Sequence, residues 1–337
     1  MNEGKHMNGQ HRIVIQNKRI RYDFTLHRNL TILRGDSATG KTALIDMVRE
    51  YTNHGAASSI ELFCDKACQV LEGSTWQGQL SMIKDSIVFI DEGNAFVLTD
   101  AFACAIQQTD NYYVIVTRES LPNLPYSIQE IYGIRNAGKY GGLKQIYNAF
   151  YRIYGSVSSV DDSLTRILIV EDSHAGFQFY AGIHRDGISC ISAGGKSHIL
   201  QQVKQTGEEQ ILVIADGAAF GPEMDRMMAY VRNHDNVRLF LPESFEWLIL
   251  DSGLIKAAEL KMILEEPADY IESAEFFSWE RYFTHLLTEL TLGSYLQYSK
   301  REINPAYLNP KAAAMILAKY EELKILMPNS QSEKSEN

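Results

Sequence analysis

The segment from Gly35 to Thr42 constrains this chain more than any other feature. It reads GDSATGKT, which satisfies the pattern G-x-x-x-x-G-K-[ST]. A stretch rich in branched residues, NLTILRG, leads into it, and ATGKTALIDMVREY has helical spacing, so the motif falls between a predicted strand and a predicted helix. Glycines at these positions let the backbone curl, so that its N–H groups face an anion at the helix N-terminus. The pattern therefore predicts a turn that binds phosphate.

Lys41 and Thr42 have separate roles in this predicted turn. The lysine reaches the β- and γ-phosphates of a nucleotide, and the threonine hydroxyl ligates Mg²⁺. We therefore expect ATP and Mg²⁺ as ligands. The predicted nucleotide-binding residues are Gly35, Asp36, Ser37, Ala38, Thr39, Gly40, Lys41, Thr42 and Arg118.

A second predicted strand, SIVFIDE, ends in the acids Asp91 and Glu92. Such a turn needs an acid at the end of a neighbouring apolar strand for its magnesium shell, and Asp91 supplies one. Glu92 is placed to polarise the attacking water, with an acidic helix cap as the alternative. Arg118 follows the next predicted strand, NYYVIVTRE, where it would contact a phosphate or form a surface salt bridge.

The antiparallel strands before the motif and the Asp-Glu pair resemble the ATP-binding-cassette and RecF-like branch of P-loop ATPases. The resemblance covers roughly residues 11–135. Fewer than 50 residues separate Thr42 from Asp91, which leaves no room for the helical subdomain of that branch, and no LSGGQ-like signature is present. An N-K-x-D motif is also absent after the turn, so a GTPase or nucleotide-dependent translation factor is a weaker alternative.

A new alternation of strands and helices begins at Arg166. Glu171 ends the strand ILIVED, Asp216 ends the strand ILVIAD, and SAGGKS ends a strand between them in the sequence. Acids at the carboxyl ends of neighbouring parallel strands converge on one crevice. Carboxylate oxygens suit Mg²⁺ or Mn²⁺, so this crevice is a candidate metal site.

This order of elements, from about Thr165 to Leu250, resembles the TOPRIM domain of topoisomerases, primases and nucleases. It is most similar to the OLD (overcoming lysogenization defect) nucleases and related bacterial ATPase-TOPRIM defence proteins. The resemblance implies Glu171 and Asp216 as catalytic acids, with Glu171, Asp216 and Glu246 or Glu243 as metal ligands. Ala218 stands where the second acid of a D-x-D pair is expected. The candidates for the missing carboxylate are Asp172, Glu223 and Asp225.

Composition limits the partners. The formal net charge is -10, and the whole excess of acid lies in residues 206–337, which hold 12 Lys and Arg against 22 Asp and Glu. Any contact with DNA or RNA therefore needs a local basic patch. No run of about 18 apolar residues occurs, so we expect no membrane segment. Four cysteines fit a reducing cytoplasm.

We therefore predict an α/β protein in which a P-loop NTPase sheet precedes a TOPRIM-like domain and a helical extension. The predicted boundaries are 1–155, 160–250 and 251–328, with a disordered tail at 329–337. The predicted function is ATP hydrolysis coupled to a metal-dependent nuclease site, in defence against phage or mobile elements as the resemblance implies. The main alternative is an ATP-dependent switch or scaffold with an inactive second site, which binds a protein partner, a second copy or a nucleic-acid end.

Overall fold

The chain folds as two compact units, each built on its own sheet. The first unit comprises Met1–Gly155 with Glu265–Trp279, and the second comprises Ser156–Leu264 with Glu280–Asn337. The predicted tail at 329–337 lies outside the residues that the computed structural model describes. Those residues are 9–35, 39–136, 145–155, 165–183, 187–271 and 275–327.

A mixed sheet of nine strands forms the first unit. Its strands are β1 (His11–Gln16), β2 (Ile20–Leu26), β3 (Leu30–Leu33), β4 (Glu61–Phe63), β5 (Ala67–Val70), β6 (Ser86–Ile90), β7 (Tyr112–Val116), β8 (Ile131–Asn136) and β9 (Ile146–Arg152). Their spatial order is β4-β1-β2-β9-β8-β3-β7-β6-β5. The run β8-β3-β7-β6-β5 is parallel, whereas β1 is antiparallel to β2 and β4. The predicted α/β class is confirmed, and the sheet of this unit is mixed.

Helix α1 (Lys41–His54) packs against both halves of this sheet. The chain passes from β4 at one end of the strand order to β5 at the other through only residues 64–66, so the sheet curls and its ends approach each other. One apolar core joins α1 to strands from both halves of the curled sheet. Its members include Leu44, Ile45 and Val48 of α1, Ile13 and Ile15 of β1, and Ile87 and Phe89 of β6. Two shorter helices complete the unit: α2 (Trp76–Met82) and α3 (Asp100–Ile106).

A smaller sheet, parallel throughout, forms the second unit, as the second α/β alternation predicted. Its strands are β10 (Ile167–Val170), β11 (Ser189–Ser192), β12 (Ile211–Ile214) and β13 (Val237–Phe240), in the order β11-β10-β12-β13. The helices that follow the strands are α4 (Ala175–Gly182), α5 (Ile199–Thr206), α6 (Met224–Val231) and α7 (Phe245–Asp251). Because β10 and β12 are neighbours, the residues that follow them lie side by side.

Beyond α7 the described residues contain helices and no strand, as predicted, but the helices are shorter than their apolar spacing suggests. They are α8 (Leu260–Glu265), α9 (Trp279–Thr291) and α10 (Pro310–Leu317). Gly253 and Gly293 adopt φ values of +77° and +70°, a backbone that interrupts helical hydrogen bonding. Within the described ranges, none of the helices combines the length and the apolarity that a membrane crossing requires.

Gly217, directly after Asp216, lies very close to the backbone that follows β13. An added Cβ there would meet the backbone carbonyl oxygens of Leu241 and Pro242 at 2.6 and 2.8 Å. We expect Gly217→Ala to lower the free energy of unfolding by about 1–3 kcal/mol in denaturant titrations, since backbone must move. Gly78→Ala in α2 is the matched control: its Cβ meets open space, and the change should be neutral or stabilising by up to about 1 kcal/mol. Equal stabilities of the two variants would contradict this packing.

Candidate functional site

The turn that enters α1 has a glycine of positive φ at each of its described ends. Gly35 and Gly40 adopt φ values of +117° and +96°, where side chains are strained. Lys41 is only 6 % exposed, and its ammonium donates to the Gly35 carbonyl oxygen at 2.8 Å and to Thr39 Oγ1 at 3.0 Å. The lysine therefore bridges the two sides of the turn. The predicted ligands Asp36, Ser37 and Ala38 lie outside the described residues.

Tyr22 of β2 fixes the start of α1, a role that motif reasoning did not find. Its hydroxyl donates to the Gly40 carbonyl oxygen at 2.7 Å, the same oxygen that accepts the Leu44 N–H at 3.0 Å in the first helical turn. A Cβ on Gly40 would meet the Tyr22 hydroxyl at 2.8 Å. Burial raises the pKa of Tyr22, which keeps the phenol protonated as a donor. The turn is thus held from the antiparallel side of the sheet.

The acids Asp91 and Glu92 follow β6 at the same edge of the sheet as the turn. Strand β7 lies between β3 and β6, and the register pairs Leu33 with Val116 and Ile90 with Ile115. The three strands therefore end almost level. Asp91 is half-buried, and its carboxylate accepts the backbone N–H of Glu92 at 2.8 Å. Thr42 is exposed as the second residue of α1.

Arg118 forms an ion pair with Glu92. Its Nε lies 2.7 Å from Glu92 Oε1, and the two side chains are 58 % and 40 % exposed. Exposed pairs of this kind contribute about 0–1 kcal/mol, so little free energy is needed to separate them. The pair sits between the end of β7 and the end of β6, next to the strand that leads into the turn.

The structure brings Glu171 and Asp216 into contact. Val170 pairs with Ile214 in the parallel register, so the two acids follow their strands within one residue of the same level. Glu171 Oε2 accepts the backbone N–H of Asp216 at 3.0 Å, and Asp216 Oδ1 accepts the N–H of Phe245 at 3.2 Å, where α7 begins. Glu171 and Asp216 both line a cavity of about 20 Å³, which has room for one water-sized occupant.

Burial makes both carboxylates unusually weak acids. Burial raises the pKa of Glu171 to about 7. The hydrogen bond from the Asp216 N–H opposes this rise, and the negative charge of Glu280 adds to it. The pKa of Asp216 is also raised, first by burial and then by the negative charges of Glu280, Glu171 and Glu246. A proton or a cation is therefore favoured at this pair near neutral pH.

Three further side chains lie near this pair and were not predicted from the sequence: Glu280, Tyr298 and Lys300. Lys300 Nζ lies 3.3 Å from Glu246 Oε1 and 2.6 Å from Glu280 Oε1. Tyr298 donates its hydroxyl to Glu246 Oε1 at 2.8 Å. Burial opposes the charge on Lys300, but the carboxylates of Glu246 and Glu280 raise its pKa above the usual value. We call the four acids Glu171, Asp216, Glu246 and Glu280 the acidic site, and the Lys300 ammonium partly neutralises its charge.

Two of the candidates for the missing carboxylate, Asp172 and Glu223, already contact other groups of the protein. Asp172 Oδ1 accepts the Phe177 N–H at 2.8 Å in the first turn of α4, and Glu223 forms an ion pair with Arg226 at 2.7 Å. Ala218 is buried, and its N–H donates to the Glu243 carbonyl oxygen at 3.2 Å. Lys196, from the Gly-Gly-Lys-Ser segment, donates to the Ala219 carbonyl oxygen at 2.8 Å, and burial lowers its pKa.

The acidic site is better suited to a cation held by two carboxylates and by water than to a cation whose ligands are all protein side chains. No three His, Cys, Asp or Glu side chains are grouped to hold an ion anywhere in the described part of the chain. Mg²⁺, however, commonly binds through one or two carboxylates, with waters and substrate phosphates completing its shell. Glu246 Oε2 is buried and has no hydrogen-bond partner among the described residues, so a further acceptor oxygen is available near the pair.

Comparison with known proteins leaves the assignment to the chain's own geometry. No protein-family model matches the sequence, and no curated protein is significantly similar to it. The resemblances drawn from the motifs therefore remain predictions. A proposal of function rests on the side chains described above.

The raised pKa of Glu171 predicts how stability depends on pH. Between about pH 4.5 and 7, the folded protein keeps a proton on Glu171 that the unfolded chain has released. Stability is therefore full below this window and falls as the pH rises through it, by on the order of 3 kcal/mol from this group. Glu171→Gln should unfold at higher denaturant than wild type at about pH 8, but not at about pH 4, in a chelating buffer. The same pH dependence in both proteins would contradict the burial of this carboxyl group.

Proposed function

We propose that the chain binds and hydrolyses ATP in its first unit and carries a metal-dependent phosphodiesterase site, of the nuclease type, in its second. The observation that carries the first half is the Lys41 ammonium, which bridges Gly35 and Thr39, with Asp91 and Glu92 at the same sheet edge. The contact between Glu171 and Asp216 beside a small cavity supports the second half.

In the first unit, each residue has a task that its position supports. The N–H groups of the turn and the Lys41 ammonium would bind the phosphates of ATP, with the start of α1 favouring their charge. Thr42 and Asp91 would hold Mg²⁺, which offsets the charge of the phosphates. Glu92 would orient and deprotonate the attacking water once it separates from Arg118, whose guanidinium would contact the γ-phosphate.

In the second unit, Glu171 and Asp216 would hold Mg²⁺ or Mn²⁺, and Glu246 would accept a hydrogen bond from a water on the cation. The bound cation would stabilise negative charge on a phosphodiester and lower the pKa of a bound water. Both carboxylates must lose their protons before they bind the cation, because their pKa values are raised. The substrate class is DNA or RNA, whose backbone carries this bond.

A second candidate function is an ATP-dependent switch or scaffold with an inactive second site. The position of Lys300 favours it, because this ammonium already pairs with Glu246 and Glu280 where a cation would otherwise be needed. Ala218 favours it too, since a methyl group stands in place of an acid. The partner would then be a protein, a second copy or a nucleic-acid end that is bound but not cut.

Lys41→Ala tests nucleotide binding. Removing the ammonium should weaken the affinity for ATP by roughly 100-fold, since charge-assisted contacts to phosphate are lost. Glu92→Gln should still bind ATP while hydrolysis slows by about 100-fold or more. Lys18→Ala removes an exposed lysine of the same unit and should change neither quantity. Selective binding of GTP by the wild type, measured by equilibrium titration, would contradict the assignment.

Substitution at the acidic pair tests the second site. Glu171→Gln and Asp216→Asn should each abolish cleavage of DNA or RNA in Mn²⁺ while ATP affinity is retained, because the two sites belong to different sheets. Glu208→Gln, an exposed acid of the same unit, should cut like wild type.

Wild-type protein that leaves plasmid, linear DNA and RNA intact, with Mg²⁺ or Mn²⁺ and with or without ATP, would refute the nuclease half. Calorimetric titration with Mn²⁺ then separates the remaining possibilities. Binding that disappears in Asp216→Asn would show an intact metal site, whereas absence of binding would favour the switch.

A further inference from the structure

Tyr180 carries a buried hydroxyl next to the acidic site of the second unit. The residue lies in α4 and is 1 % exposed. Its hydroxyl oxygen has no hydrogen-bond partner among the residues that the structure describes. A buried hydroxyl that gives up its hydration on folding and receives no other hydrogen bond lowers stability, so buried tyrosine hydroxyls usually bond to protein or to ordered water.

The ring of Tyr180 is held in place by its neighbours. Its centroid lies 5.4 Å from that of Phe179 and 5.9 Å from that of Phe245. Phe245 is the first residue of α7, and its backbone N–H donates to Asp216 Oδ1 at 3.2 Å. A flip of the Tyr180 ring leaves the hydroxyl oxygen where it is, because this oxygen lies on the flip axis. The hydroxyl therefore cannot reach another protein group unless α4 or α7 moves.

The cavity of about 20 Å³ lies at this hydroxyl as well as at the acids. Tyr180 lines it together with Glu171, Asp172 and Asp216. Its volume suits one water molecule, which needs about two to four polar partners to be bound stably. Burial raises the pKa of Tyr180, and the negative charges of Asp216 and Asp172 raise it further, so the hydroxyl lies near both carboxylates and keeps its proton. A donor and several acceptor groups thus surround a space of the size of one water.

We propose that Tyr180 is a positioning residue of the acidic site, whose hydroxyl binds a water molecule in this cavity and through it orients the carboxylates of Glu171 and Asp216. The hydroxyl makes no direct hydrogen bond to either carboxylate, so a bridging group is needed to connect them. The effect on cation binding rests on the proposed function. The water site itself does not, because its walls belong to the protein alone.

Tyr180→Phe removes the hydroxyl and keeps the ring. If the hydroxyl binds water, the variant loses a hydrogen bond, and its unfolding midpoint in denaturant should lie below that of wild type, in a chelating buffer at about pH 7. If the hydroxyl has no ligand, its removal deletes a buried polar group without a partner, and the midpoint should be equal or higher. The second result would overturn the water site.

Tyr307→Phe is the matched control in the same unit. Tyr307 is fully buried, and its hydroxyl donates to the Leu296 carbonyl oxygen at 2.6 Å. The midpoint of this variant should fall, because the partner of the lost hydrogen bond is known. A crystal structure of the wild type without metal gives a direct view. We expect water density within hydrogen-bond distance of Tyr180 Oη and of a carboxylate, and a cavity without density would overturn the proposal.

Calorimetric titration of the full chain with Mn²⁺ tests the positioning role. Tyr180→Phe should bind Mn²⁺ about tenfold more weakly than wild type, since groups that orient metal ligands commonly change affinity by about this factor. Tyr307→Phe should bind like wild type. Equal affinities of Tyr180→Phe and wild type would overturn the positioning role and leave the metal site standing. Absence of Mn²⁺ binding by wild type would refute the metal site and the positioning role together, whereas the unfolding midpoints would still decide the water site.

Discussion

Parallel strand pairing is the constraint on which both candidate sites depend. When neighbouring strands run in the same direction, the residues that follow them meet at one edge of the sheet. In the first unit this rule places the glycine turn, Arg118 and the Asp91-Glu92 pair at one edge. In the second unit it brings Glu171 and Asp216 into direct contact. Strand pairing thus brings residues that are far apart in the sequence together at one sheet edge. The motifs themselves do not specify this proximity.

Electrostatics then distinguishes the two sites. The predicted phosphate-binding turn would offer N–H groups beside the Lys41 ammonium, which suits an anion. The second site collects acids whose burial is costly, and such groups are tolerated only when protonated, paired or bound to a cation. The chain uses the first two means: raised pKa values at Glu171 and Asp216, and the Lys300 ammonium beside Glu246 and Glu280. A divalent cation is the third means, and it would compete with the protons.

The sequence predicted the features that local pattern determines. The turn at Gly35, the strands that end in Asp91, Glu171 and Asp216, and the α/β class all follow from short apolar runs and from spacing. Strands β4, β5 and β9 were not predicted. They are short or partly exposed, so their apolar alternation is weak, and pairing with β1, β6 and β8 stabilises them.

Contacts between distant segments could not be predicted from motifs. Tyr22 reaches Gly40 only because the sheet curls around α1, and Lys300 reaches Glu246 only because the C-terminal helices return to the smaller sheet. Nothing in the spacing of these residues marks them as partners. The ion pair between Arg118 and Glu92 was foreseen only as one of two possibilities for Arg118, since the choice depends on the register of β6 and β7.

The most direct test of the central claim is a crystal structure of the full chain with an ATP analogue and Mn²⁺, in which anomalous scattering locates the metal. The account predicts a triphosphate bound by the Gly35–Thr42 turn and, separately, a manganese peak between the carboxylates of Glu171 and Asp216. A triphosphate bound elsewhere would contradict the first site. An ordered acidic pair that holds Lys300 and no manganese would contradict the second.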